Sequence, residues 1–446
     1  MENHAQLVDK HRKLILDTFE YVRTHPETGF REWKTNAYLT EVFESLGYTL
    51  TQAGNIPGFY TDIDTGRSGP TVLVMAEEDA LIVTDHPDAD PETGAAHACG
   101  HCAQVAALVG IAAALREPHA LDGLSGKIRL MAVPAEELIE IEYRQSLRDR
   151  GIIQAFGGKQ EFMRRGYMDG VDMAFMIHTT NTPTRRGSVS LGCNGCVVKL
   201  VEFQGVAAHA GGSPHKGVNA LYAANLALNA INALRETFTD ASHTRVHPIL
   251  TSGGSCVNVI PDSVCMESYV RGVSDEAIVS ANDKVNRAIA ASAAAMGANA
   301  HLRDIPGYFP LSNDPGMADV FVEAMGSEFD EVLHRQVRGS GCTDAGDLSS
   351  VMPTVHPYVS GAAGSGHGPD YRIVDPETAC VTSAKVQVRA LQLLLQNGAE
   401  RAQAILQNFT PVFPSIADYI AFTDRMDKDV QLVTYQPDGS VLLNLN

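Results

Sequence analysis

The chain has 446 residues, 44% of them hydrophobic and 20% charged, and a formal net charge of −19. That length allows two or three domains of a globular protein. So acidic a surface repels phosphate backbones, which argues against a nucleic-acid partner. The longest apolar run, Val105–Leu115, is too short to cross a bilayer, so no membrane partner is expected.

The first 31 residues carry charges throughout and read as amphipathic helix rather than signal peptide. A cytoplasmic location with reduced cysteines is therefore expected. Asp9 to Leu46 reads as two helices broken at His25-Pro26-Glu27-Thr28-Gly29. Thr71–Met75 is an apolar strand ending in Glu77-Glu78-Asp79. An acidic loop, the stretch His97–Cys102 and an apolar helix over Ala103–Arg116 follow. Lys127–Val133 is a strand ending in Pro134-Ala135-Glu136-Glu137, and Val171–Ile177 another ending in His178. Strands alternating with helices predict an α/β fold with a mainly parallel sheet.

From Gly192 the pattern changes. Val197–Phe203 reads as strand, Gly217–Phe238 as helix, Val257–Ile260 and Val264–Arg271 as strands, Ser274–Met296 as helix and Ala300–Pro306 as strand. This β-α-β-β-α-β order is that of a ferredoxin-like unit inserted into the first domain. The expected division is residues 1–192 and 310–446 against 193–309. Val351–Tyr358 then reads as a strand before the glycine-rich loop that carries His367, and Ala379–Asn408 as helix. The tail after Phe409 has no clear pattern.

Cys99 and His101 flank Gly100, whose freedom to turn sharply lets both side chains converge on one point. Thiolate and imidazole are good ligands for zinc and its neighbours. Cys99 and Cys102 are also spaced as a dithiol redox pair, so that reading stays open, as does one of ordinary core cysteines. Cys193-x-x-Cys196 is a second such pair, read as structural. Asp79, Glu136, Glu137 and His178 all follow carboxyl ends of strands, the edge where open α/β sheets bind ligands. Soft and hard ligand types at one edge favour a metal.

These residues resemble the M20 clan of metal-dependent amidohydrolases and peptidases, in particular its indoleacetyl-amino-acid and aminobenzoyl-glutamate hydrolases. The resemblance runs from Leu14 to Gln396. It is carried by His25–Gly29, Asp79-Ala-Leu81, His97–His101, Pro134–Glu137, Ala208-His-Ala210 with Pro214-His215, Asn258–Asp262, Cys342–Asp347 and the His367 loop. It implies a zinc-peptidase-like catalytic domain with an inserted lid and dimerisation domain. It implies Cys99, His101, Glu137, His178 and His367 as ligands of one or two divalent ions, zinc or manganese, with Cys99 bridging. Glu136 would be the general base, Asp79 would orient a ligand histidine, and His209 would reach the partner subunit's site in a homodimer. Asn258 and Arg271 are candidates for holding a carboxylate on a small-molecule substrate.

The chain departs from the family pattern at Cys102, where Asp or Asn is usual, at Ala103-Gln104-Val105, in an acidic insertion over Asp85–Glu92, and in a long charged stretch from Leu138 to Gly158. The expected reaction is hydrolysis of a carbon–nitrogen bond. Alternatives are release of ammonia from an aryl amine at the same centre, dithiol redox chemistry at Cys99 and Cys102, and metal binding without catalysis.

Overall fold

The computed structural model describes residues 4–445. The chain divides into two compact units, one of Met1–Gly192, Leu311–Gly339 and Asp344–Ile416, the other of Cys193–Pro310, Ser340–Thr343 and Ala417–Asn446.

The first unit is built on a six-stranded sheet in the order Thr51–Gln52, Phe59–Asp64, Lys127–Val133, Thr71–Glu77, Met173–Phe175, Thr354–Val355. The last four strands run parallel to one another, and Phe59–Asp64 pairs antiparallel with both Lys127–Val133 and Thr51–Gln52 at one edge. The helix His101–Leu115 packs on this sheet and is buried on every side. That explains its composition: a helix enclosed all round needs no polar face. At Gly110 a Cβ would stand 2.6 Å from Ile15 Cδ1, so glycine there admits the close crossing of helix Arg12–Thr24. The His25–Gly29 motif is structural. The Glu27 carboxylate accepts from the backbone N–H of Lys34 and of Thr35, both at 2.9 Å, at the start of helix Trp33–Ser45. Such a carboxylate complements the helix dipole.

Two expected strands are broken in ways that matter. Val171–Ile177 is strand only over Met173–Phe175, and His178 opens a separate short strand, His178–Thr180. Val351–Tyr358 splits into Thr354–Val355 and Tyr358–Ser360 around His356-Pro357, because proline has no N–H to give the ladder. Tyr358–Ser360 then pairs parallel with His178–Thr180 in a second, four-stranded sheet.

The second unit has an antiparallel sheet in the order Arg245–Val246, Ser263–Gly272, Gly195–Gln204, Asn299–Pro306, Lys428–Gln431. Helices Ala220–Ala233 and Asp275–Ala295 connect its strands, giving the expected ferredoxin-like order. The strand expected at Val257–Ile260 is not formed. Its place is taken by Arg245–Val246 and Ile249–Leu250, both paired with Ser263–Gly272, while Val257 is almost fully exposed. The tail also differs from expectation. Residues from Ala417 onward belong to this unit, and Lys428–Gln431 extends its sheet beside Asn299–Pro306. Among the described residues no helix is long and apolar enough to cross a membrane.

Candidate metal centre

Gly100 caps the buried helix with φ 106°, a left-handed conformation that glycine adopts without strain. A Cβ there would meet Thr179 Oγ1 at 2.2 Å and Tyr371 Oη at 2.6 Å. The Tyr371 hydroxyl donates to the Cys99 carbonyl at 2.8 Å and lies 2.8 Å from Thr179 Oγ1, which fixes the bend. Cys99 Sγ thereby comes to 3.2 Å from His178 Nε2. The His367 loop is tied to the same place by a 2.9 Å bond from its backbone N–H to Ala98 O, and His367 Nε2 stands 3.2 Å from Glu137 Oε1.

Two groups of donors result, Cys99 with His101 and His178, and Cys99 with Glu137 and His367. Within each group the ligand atoms lie within 4.8 Å of one another, and Cys99 is common to both. A third group, Glu77 with His101 and Glu136, adjoins the first through His101. Asp79 holds both sides. Its Oδ1 lies 3.0 Å from His101 Nδ1, and its Oδ2 accepts from the Glu137 backbone N–H at 2.7 Å. A proton on Nδ1 leaves the His101 Nε2 lone pair facing inward, as a metal-binding histidine requires. His178 is set the same way, with Nδ1 at 2.8 Å from Thr179 O.

The donors fit a divalent cation. His101 Nε2 and Glu137 Oε1 are buried without a hydrogen-bond partner. Glu77 Oε2 lies 3.1 Å from that nitrogen, close enough for an ion pair but not aligned for a hydrogen bond. Buried polar atoms left this way call for a missing partner. The charge balance says the same. Burial pushes Glu136 well above the usual carboxylate range, with the charges of Glu77 and Glu137 adding to it, and burial raises the Cys99 thiol, with Glu137 next. Burial lowers His178, and His101 adds to this. A bound cation reverses these tendencies.

One fixed cation sits beside the cluster. Lys159 is fully buried and reaches Glu77 Oε1 at 2.5 Å and Asp344. Burial pushes Glu77 up, but the Lys159 ammonium outweighs it and holds this carboxyl well below the usual range. Burial leaves Asp344 pushed up to about 6, against the same ammonium. The two carboxylates share one ammonium, and it favours ionisation of Glu77 more than of Asp344. Nothing in the spacing of Gly157-Gly158-Lys159 marks it as part of a site.

The other candidates lie elsewhere in the chain. Cys102 points into the apolar core of the first unit, where burial lifts its thiol to about 12. It is no thiolate partner for Cys99, so the dithiol reading fails. His209 and Asn258 belong to the second unit and neighbour each other: Ala210 N–H donates to Asn258 O at 2.9 Å, and His209 Nδ1 accepts from Gly212 N–H at 3.0 Å. Arg271 is on strand Ser263–Gly272, opposite Cys196 and Arg245.

Comparison with known proteins gives the family and the fold. The profile of peptidase family M20/M25/M40 matches residues 72–393. The N-acetyl-L-cysteine deacetylase of Bacillus subtilis is 27% identical over 321 residues, 70% of this chain and 72% of that protein. The indole-3-acetyl-aspartic acid hydrolase of Enterobacter agglomerans is 29% identical over 331 residues, 63% of this chain and 71% of that protein. A solved Bacillus subtilis structure, described as a dinuclear metal binding peptidase of family M20, shares the fold with a TM-score of 0.67 at 20% identity, covering 87% of this chain and 99% of that one. The chain belongs to peptidase family M20/M25/M40. It is a metal-dependent hydrolase of amide carbon–nitrogen bonds.

Proposed function

We propose that this hydrolase cleaves the amide of an N-acyl or N-aryl amino acid, or of a dipeptide-like substrate, at a two-ion centre bridged by Cys99. The observation that carries the reading is the single thiol common to two separate three-donor groups. His101 and His178 would complete one site, Glu137 and His367 the other, as zinc or manganese ligands. Ions held there would supply Lewis acidity, polarising a scissile carbonyl and acidifying water.

Glu136 is the general base in this proposal. Its carboxylate is buried, with Oε2 3.9 Å from His101 Nε2, beside both donor groups, where it would take a proton and hand it to the leaving amine. Asp79 fixes the His101 ring and the Glu137 backbone together. Lys159 keeps Glu77 ionised and out of proton exchange. His209 would donate to the developing oxyanion from a partner subunit, and Asn258 and Arg271 would hold the substrate carboxylate. Support for a homodimer comes from the exposed apolar residues Tyr222 and Leu226 on helix Ala220–Ala233 and Ile249 and Leu250 on the edge strand. A cytoplasmic location belongs to the same proposal, on the sequence grounds given above.

The test is Glu136→Gln. Metal content stays at the wild-type level, and turnover of N-acyl amino acids falls by roughly two to four orders of magnitude. Retained turnover removes Glu136 from the chemistry. Ammonia release from an aryl amine that has no amide bond replaces the amide-substrate reading with the deaminase one.

A further inference from the structure

Arg144 has no exposure, and among the described residues it makes no ion pair. Buried charges are rare unless they are paired. This guanidinium is instead solvated by three backbone carbonyls, those of Ala135 at 3.4 Å, Glu137 and Phe156. Two of the three bracket Glu136. The slot it fills is opened by Gly29, where a Cβ would stand 2.4 Å from Arg144 Nη2.

The turn that follows strand Lys127–Val133 needs such a clamp. Ala135 has φ 59°, a left-handed conformation that strains any residue but glycine. Its backbone groups are held by buried charged side chains on several sides. Glu32 Oε1 accepts from Ala135 N–H at 2.8 Å, and Asp79 Oδ2 accepts from Glu137 N–H at 2.7 Å. Gly158 N–H donates to Ala135 O at 3.2 Å, and Ile139 N–H to Glu137 O at 2.9 Å. Arg144 is the group that ties both carbonyls at once. Asp79 also touches His101, whereas the hydrogen bonds of Arg144 among the described residues go to Ala135, Glu137 and Phe156 and to none of Cys99, His101 or His178.

We infer that Arg144 is a positioning residue that aims the Glu137 carboxylate, and so builds the Cys99–Glu137–His367 half of the metal centre without contributing to the Cys99–His101–His178 half. The inference rests on the two-ion reading above. A purely structural arginine would weaken both halves or neither.

The experiment is a cobalt(II) titration of metal-free wild-type protein and of Arg144→Met, followed by visible absorption and by metal analysis after dialysis. Wild-type protein takes up two ions. Arg144→Met keeps one class at wild-type affinity and weakens the other by about ten- to a hundredfold, the usual cost of losing a group that orients a ligand. Glu137→Gln loses the same class, and guanidinium ion added to Arg144→Met restores it. Should Arg144→Met fail to fold, Arg144→Lys retains a cation that reaches fewer carbonyls and shows the same loss in smaller measure. An Arg144 variant that is folded, with both classes unchanged or both weakened together, overturns the inference while leaving the metal centre standing. Wild-type protein that takes up no second ion overturns the two-ion reading and this inference with it.

Discussion

Replacing Gly100 with alanine perturbs the bend that brings Cys99 and His101 together, and the structure supplies both the size of the effect and its control. At φ 106° the alanine pays about 1–2 kcal/mol for a left-handed backbone. Its Cβ would also fall 2.2 Å from Thr179 Oγ1 and 2.6 Å from Tyr371 Oη, so one or both hydroxyls must move. They are buried and share a 2.8 Å hydrogen bond, and the tyrosine donates a second one to Cys99 O. Losing both bonds costs about 1 kcal/mol each, for a total of about 3–4 kcal/mol. Gly47 is the control: its φ is 83°, and a Cβ there meets nothing within 4 Å. Gly47→Ala should therefore cost only the backbone share, about 1–2 kcal/mol. Urea unfolding with a chelator present, so that metal adds nothing, gives both values. A Gly100→Ala loss no larger than that of Gly47→Ala would refute the claim that the bend is packed against Thr179 and Tyr371.

Lys159→Met leaves the Glu77 and Asp344 carboxyls buried without their ammonium, and breaking a buried pair in this way costs about 3–5 kcal/mol. The sign with pH follows from the shifts. The stability from Lys159, whose pKa is raised in the fold, is complete below its unfolded value of about 10.4 and is lost only as pH climbs through the higher folded one. The stability from Glu77, whose pKa is lowered, is present above about 4.3 and fades as pH falls through its folded value. The deficit of the variant measured by unfolding should thus be full from about pH 7 to pH 9, begin to shrink as Asp344 takes its proton near its value of about 6, and shrink further below about pH 4; a deficit that grows in acid contradicts the pairing. Cys102→Ala should retain metal content and turnover, because this thiol serves only the apolar core; loss of turnover with metal retained would reopen the dithiol reading. Chelator should abolish hydrolysis, and zinc or manganese should restore it; hydrolysis that survives complete metal removal contradicts the assignment.

The parts of the site that the sequence made legible are those where chemistry is tied to local backbone. Cys99-Gly100-His101 announces its bend through glycine, and the strand ends carrying Asp79, Glu136 and Glu137 follow from short apolar runs. His178 was legible by type, although its strand breaks earlier than periodicity suggests, since Pro357 on the neighbouring segment interrupts the pairing. Other features depend on contacts between residues far apart in the chain. The pairing of Lys159 with Asp344 spans 185 positions, and no local pattern announces it. Arg144 lies in the long charged stretch from Leu138 to Gly158 with no local mark of its burial, because burial of a guanidinium by carbonyls depends on Gly29, more than a hundred positions earlier. The second unit was legible in order but not in register. Val257–Ile260 has the composition of a strand, yet Ile249–Leu250 takes the sheet edge, and the tail strand Lys428–Gln431 finds its partner only through the fold.

The account stands or falls on whether one sulfur is shared by two ions. Anomalous scattering from crystals grown with zinc or manganese measures this directly. The prediction is two peaks, each at bonding distance from Cys99 Sγ, about 2.3 Å for zinc, one beside His101 and His178 and the other beside Glu137 and His367. No peak at Cys99 in fully loaded crystals, or ions bound only at other residues, would contradict it.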